Sequence, residues 1–413
     1  MWEQKLPGNL YGGSLPVNIN SMINDYRNLS RFPTGSEYKA EAAHLNSKYS
    51  KISEPGNKKV SANFTSTVIY PPWAYFPSLI GLQIAKWLHL PLIWYVYLAR
   101  ISNFLVWLTL AALAISLIPG GKWFMLAMAL LPTSLSQAAT IGGDGLQMGL
   151  AWLLIAITLA VMAKKLKPDW RLMVPAIFVA VYASLIKDGY FLLGLLPLLI
   201  PSSRFLSKKA GVVWKGITFV SVGAAASWFT YRTFRAVHGV VLTPTLGMNI
   251  NSSQQVHYML THWAGYILHV IEQPFTKSFD TTYLGIVGIL TNRLIYLSIL
   301  VMALLFFGLY LGIRKTPRLN NLSDYRKRLV IGFSAVFVLS YGLLASAFYV
   351  GNTSVGATFV NGFYGRYFLP LLPLLLAYPL SRARRQSSNK YFLEGGITAV
   401  AVIGLAAMVM SIQ

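Results

Sequence analysis

"QAATIGGDGLQMGL", residues 137–150, sets three glycines around one carboxylate, Asp144, in the middle of strongly apolar sequence. Residues 126–135 before it and 150–162 after it are each apolar enough to lie in lipid. A chain that leaves hydrocarbon, turns at such a stretch and re-enters is polytopic. What Asp144 can do then depends on the side of the membrane the turn faces.

The rest of the chain agrees with that reading. Of its 413 residues 55% are hydrophobic and only 11% are charged, with mean hydropathy +0.53. A soluble protein carries about a quarter charged residues. The length would allow two or three soluble domains, but the apolar runs are of lipid-spanning length and indicate one polytopic domain. There is no cysteine, which excludes disulfides, thiolate chemistry and Cys-based metal sites. A net charge of +23 suggests nucleic acid at first sight. The basic residues instead stand in clusters between apolar runs, as membrane topology requires, so no nucleic-acid partner is expected.

The expected fold is an all-α polytopic membrane protein with about ten transmembrane helices. The candidate spans are 92–118, 123–139, 146–163, 172–186, 190–203, 212–236, 285–312, 329–349, 367–380 and 394–412. The fourth and fifth are short and read as broken helices. Residues 1–70 are polar. Residues 70–97, "YPPWAYFPSLIGLQIAKWLHLPLIWYVY", read as an interfacial segment because of their aromatics and prolines. The chain therefore divides into an outer polar segment, 1–91, and a transmembrane domain, 92–413, with a long outer loop at about 237–284.

Basic residues fix the orientation. Lys122, then Lys164, Lys165, Lys167 and Arg171, then Arg204, Lys208, Lys209 and Lys215 fall in alternate loops. Arg314, Lys315, Arg318, Arg326, Lys327 and Arg328 follow, then Arg382, Arg384, Arg385 and Lys390. The positive-inside rule puts these loops in the cytoplasm and 140–145, 187–190, 237–284 and 350–366 outside. Asp144, Asp188, Glu272 and Asp280 all fall on the outer loops. With the first span running inward from 92, residues 1–91 also lie outside, yet nothing before them reads as a signal peptide or span. The expectation is that a leading transmembrane helix is missing from the chain. The alternative, residues 1–91 inside with inverted topology, would put the basic loops outside.

The outer residues supply the candidates for chemistry. Asp144 either faces an outward cavity as a base or cation partner, or caps the helix starting near Leu146. Lys187 and Asp188 share a turn between two short apolar runs. Lys187 binds a lipid phosphate there, or pairs locally, or snorkels to the interface; a buried lysine is costly and such costs mark function. Arg366 stands at the outer mouth of a span, against the positive-inside pattern, where a guanidinium holds a phosphate bidentately. Tyr364, Tyr367 and Phe363 beside it stack on a sugar or prenyl chain, or form an aromatic belt. Arg100 and Arg293 lie within or near spans and face a cavity or snorkel. His238, His257, His262 and His269 cluster in the long outer loop, but in no metal-ligand pattern, so no metal is expected. Walker A, GxSxG and kinase motifs are absent, and no ATP-driven mechanism finds support. Nothing in the residues names a cofactor.

Several blocks also carry a resemblance. "YGGSLP" (11–16), "YPPWAYFPSLIGLQIAKWL" (70–88), "LARISNFLVWLTL" (98–110), "LPTSLSQAATIGGDGLQMGLAWLL" (131–154), "IKDGYFLLGLLPLLIP" (186–201) and "GRYFLPLLPLLLA" (365–377) occur in this order. Together they resemble the DUF2142 family of predicted bacterial membrane proteins. That family is similar to the GT-C glycosyltransferases, multi-pass enzymes that use polyprenyl-phosphate sugars. The resemblance implies a GT-C-like fold in a bacterial plasma membrane and points to Gln137, Asp144, Lys187 and Arg366. It also implies an N-terminal helix followed by an acidic motif in the first outer loop, where GT-C enzymes commonly carry the base. That segment is absent here, so the chain is truncated, uses another acid, or is inactive as given.

Two functions from different classes follow. As a glycosyltransferase, the protein would hold a polyprenyl-phosphate-linked sugar with its phosphate on Arg366 and Lys187. Asp144 would be the base, and Gln137, Asp188 and Arg100 would line the substrate site; the acceptor is a cell-surface glycan or a membrane lipid. As a transporter or flippase of a lipid-linked glycan it would need no base. A glycan polymerase, which would also use outer-loop arginines, is a third reading. An enzyme predicts that Asp144, Lys187 and Arg366 converge in one outward cavity; a transporter predicts a path through the midplane.

Overall fold

The computed structural model describes residues 4–6, 10–29, 36–53, 55–64, 70–187, 189–237, 250–273, 322 and 324–382. The expected spans 285–312 and 394–412, together with Asp188, His238, Asp280 and Arg293, lie outside the described residues.

The polar N-terminal segment is not purely helical, which corrects the all-α expectation. Strands β1 (Gln4–Leu6), β2 (Leu10–Pro16) and β3 (Lys59–Asn63) form an antiparallel sheet in that order. The strands are short, and β2 pairs with β3 across more than 40 residues, so they leave no run of alternating apolar residues. Between β2 and β3, helices α1 (Val17–Leu29) and α2 (Ser36–Ser50) form a hairpin. Met22 and Leu29 of α1 pack on Leu45 and Tyr49 of α2. Asp25 accepts from Lys48 Nζ at 2.7 Å and from the Tyr49 hydroxyl at 2.6 Å.

The same cluster continues onto Leu92 and Ile93, which open α4 (Leu92–Leu117). The N-terminal unit is thereby seated on the membrane domain. The expected interfacial segment forms a 3-10 turn at Pro72–Tyr75 and helix α3 (Phe76–Trp87), folded back on α4. Gly81 permits that hairpin: a Cβ there would lie 2.1 Å from the Leu98 carbonyl oxygen.

Four described helices are long and apolar enough to cross a membrane. They are α4, α7 (Gly143–Met162), the first 26 residues of α9 (Lys208–Val237) and α12 (Arg326–Asn352). Helix α7 is buried along its length, while α4, α9 and α12 keep exposed apolar faces. The helix between α7 and α9, α8 (Trp170–Ile186), is shorter. Helices α10 (Ser252–Thr261) and α11 (Trp263–Glu272) lie in the long loop between α9 and α12.

Three expected spans are broken, each with a proline inside it, whereas span 172–186, also expected to be broken, is the continuous helix α8 despite Pro175. Span 123–139 divides into α5 (Lys122–Ala129) and α6 (Pro132–Ala138), because Pro132 holds Leu131 extended, at φ −59° and ψ 136°. Span 190–203 is a 3-10 helix, Phe191–Leu199, containing Pro197. Span 367–380 consists of 3-10 turns Gly365–Phe368 and Leu372–Leu376, with Pro370 and Pro373, followed by α13 (Ala377–Arg382). Irregular backbone at membrane depth is tolerated where protein covers it, and Leu193, Leu196, Leu374 and Leu376 are buried.

Contacts at the helix ends show how the passes alternate. Near the N-terminal end of α7, Asn103, midway along α4, donates to the carbonyls of Ala138, Thr140 and Gly142. At the other, Lys165 donates to the carbonyls of Ser116 and Leu117, and Arg204 to that of Met162. Thus α4 and α7 run in the same direction. The loops carrying Lys164, Lys165 and Arg204 share one end of the bundle.

Candidate functional site

Opposite that basic end, α7 begins at Gly143 with Gly142 as an extended N-cap that offers no side chain. Asp144 stands in the first turn, where a carboxylate complements the helix dipole. It makes no capping hydrogen bond there. Its Oδ1 instead accepts from Lys187 Nζ at 2.8 Å, so the pairing of Lys187 is with a distant carboxylate. Gly145 brings α6 against this turn: a Cβ would lie 2.8 Å from Ala138 Cα and 2.9 Å from the Gln137 carbonyl oxygen. That approach sets Gln137 beside Asp144.

Lys187 follows the last turn of α8, with extended backbone at φ −152° and ψ 135°. Its side chain is 8% exposed, against 34% for Asp144. The ammonium lies 4.1 Å from the centre of the Tyr367 ring and 5.6 Å from that of Tyr70, both within cation–π reach. The segment after Tyr70 is tied to α8 by Trp73, whose ring N–H donates to the Leu185 carbonyl and whose own carbonyl accepts from the Tyr182 hydroxyl.

Arg366 arrives from the 3-10 turn Gly365–Phe368. Its Nη2 donates to the Tyr367 hydroxyl at 3.1 Å, and its guanidinium lies over the Tyr364 and Tyr367 rings. Its Nε is 3.8 Å from Asp144 Oδ2, too long for a hydrogen bond but within ion-pair range. The turn is fixed from below: Tyr190 donates to the Tyr367 carbonyl and Trp152 to that of Leu369. Phe363 and Tyr367 belong to a buried aromatic cluster with Phe348, while Tyr364 is exposed.

Asp144 and Arg366 line one recess together with Gln137, Gln147, Tyr190 and Tyr367, with Met148, Leu369 and Pro370 at its wall, while Lys187 reaches it through its ion pair with Asp144 and is not itself part of the lining. Two cations face one carboxylate, leaving one positive charge in excess. The recess has room for about one water molecule, so a larger group must engage from its open side or part the Lys187–Asp144 pair. Nearby Tyr75, outside the spans, is pushed up to about 12, chiefly by burial and then by Tyr70 and Asp144. It stays a neutral phenol at physiological pH.

Four of the residues singled out from sequence therefore come together: Gln137, Asp144, Lys187 and Arg366. Arg100 does not line the recess. It is exposed, and its Nε donates to the Ala139 carbonyl at 2.8 Å, closing the end of α6. Asp188 lies outside the described residues. The sequence reading missed Tyr70, Tyr190 and Gln147. Gln147 had a signal, being three residues after Asp144 and so on the same helical face. The tyrosines had none, because their proximity is tertiary.

A model of the family DUF2142, described as predicted membrane proteins, matches residues 11–375. Neither a curated protein nor a solved structure matches the chain.

Proposed function

We propose, from the premise that this chain belongs to the DUF2142 family of predicted membrane proteins, that it is a glycosyltransferase acting on polyprenyl-phosphate-linked sugars. In this reading the protein has a GT-C-like bundle of about ten spans in a bacterial plasma membrane, with the recess facing outward. The observation that carries it is the convergence of Asp144, Lys187 and Arg366 at the end of the bundle opposite the basic loops.

The donor phosphate docks on the exposed side of Arg366 and competes with Asp144 for the Lys187 ammonium. Both cations then stabilise the phosphate as the sugar–oxygen bond breaks and polyprenyl phosphate departs. The acceptor hydroxyl, on a cell-surface glycan or membrane lipid, attacks the anomeric carbon. Its proton passes to Asp144, which lines the recess and whose Oδ2 accepts no hydrogen bond from Lys187. The exposed aromatic and aliphatic side chains of α3 and α4, such as Trp87 and Trp94, suit the membrane interface beside the prenyl chain.

A transporter of a lipid-linked glycan is the second reading, favoured by the non-α segments Phe191–Leu199 and Leu372–Leu376 within the bundle. Membranes from cells expressing the chain, supplied with radiolabelled polyprenyl-phosphate sugars, separate the two. Transfer is expected from the wild type, with losses of about 100-fold or more in Asp144→Asn and in Arg366→Ala. Full transfer by Asp144→Asn would remove Asp144 as the base. Protein-dependent movement of a lipid-linked glycan across proteoliposomes, with no transfer from any donor, would establish transport instead.

A further inference from the structure

Gln147 is 1% exposed inside a helix that is buried from Gly145 to Met162. Among the described residues neither its Nε2 nor its Oε1 has a hydrogen-bond partner. Other buried amides are paired at one end at least: Asn103 leaves only Oδ1 and Gln255 only Nε2 without a partner among the described residues. Asn103 donates to three carbonyls, and Gln273 both donates to and accepts from the backbone of Val360. Unpaired buried amides are costly and are rarely kept without use. This one lines the recess with Asp144, Gln137 and Arg366.

The chemistry of the missing partner follows from the amide itself. A carboxamide offers a donor and an acceptor side by side, so its complement must accept and donate. A fully ionised phosphate has no proton to give to Oε1 and cannot satisfy it. A hydroxyl can, and the recess has room for about one water-sized group. The ligand is thereby divided: its anionic part belongs to Arg366 and Lys187, its hydroxyl to Gln147.

Resting on the glycosyltransferase reading, we infer that Gln147 is a specificity-determining residue that binds a hydroxyl of the sugar carried on the lipid phosphate. Helical spacing places it one turn deeper than Asp144 on the same face, so the sugar hydroxyl enters the recess while the phosphate remains at the mouth. A site built to pair a hydroxyl discriminates strongly against ligands lacking it, because the buried amide is then left unpaired.

The test compares two probes on the purified full chain in lipid nanodiscs: bare polyprenyl phosphate, and polyprenyl-phosphate hexoses bearing glucose, galactose or mannose. Gln147→Met keeps the volume and removes both hydrogen-bonding ends. The hexose lipid bound most tightly by the wild type is expected to weaken by about 10- to 100-fold in this variant. Bare polyprenyl phosphate is expected to bind as before, and the melting temperature to hold or rise. Unchanged hexose-lipid affinity, equal loss for both lipids, or a melting temperature several degrees lower would each overturn the inference while leaving the wider reading intact. A wild type that binds neither lipid would overturn both.

Discussion

Lys187 owes its place to its neighbours. An ammonium with an 8% exposed side chain inside an apolar bundle needs a counter-charge, and Asp144 at 2.8 Å supplies it, with the Tyr367 and Tyr70 rings around it. Breaking such a pair leaves a buried charge unmatched. Lys187→Met is therefore expected to destabilise, toward the low end of the roughly 3–5 kcal/mol seen for buried pairs, because Asp144 is 34% exposed. Lys187→Met combined with Asp144→Leu should cost less than the sum of the two single changes. Thermal unfolding in detergent checks this, and strict additivity would mean that the pair is not coupled. The three charged residues were legible in the sequence because charge within apolar surroundings is expensive and stands out. Their pairing was not, since Asp144 and Lys187 are 43 residues apart and only the return of α8 beside α7 joins them. Arg100 stood out for the same reason, yet it lies outside the recess lining and its Nε donates to the Ala139 carbonyl. A costly charge marks a constraint without saying whether the constraint is chemical or structural.

Among the elements, the long helices α4, α7, α9 and α12 were readable from apolar length. The broken ones were readable only as apolar, because a 3-10 helix packed within the bundle has the composition of a span. Pro132, Pro197 and Pro373 were the available signals of breakage. The small sheet was hidden for the opposite reason, since its strands carry little apolar pattern. The close meeting of α6 with α7 makes a testable joint. Gly145→Ala would drive a Cβ into the backbone of Ala138 and Gln137, which cannot rotate away. A loss of about 1–3 kcal/mol is expected, with weakened donor binding as Gln137 is displaced. Gly223→Ala, in α9 with no atom within 4 Å of the added Cβ, should be neutral or stabilise by about 0.4–1 kcal/mol. Equal effects at the two glycines in thermal unfolding would contradict the packing described for α6 and α7.

For the whole molecule, charge and chemistry separate along the bundle. Lys165 and Arg204 close one end by bonding to carbonyls at the ends of α4 and α7, while Asp144, Lys187 and Arg366 meet at the other. The alternation of basic loops made that polarity legible from sequence, and the helix-end contacts agree with it. The functional reading depends on which end faces outward. Because the chain has no cysteine, a single introduced cysteine reports its side of the membrane without background. Ile141 is 41% exposed beside the recess, and Lys167 is exposed in a basic loop. In intact cells, a membrane-impermeant maleimide is expected to label Ile141→Cys at once and Lys167→Cys only after permeabilisation. Labelling in the reverse order would place the recess in the cytoplasm and contradict the account.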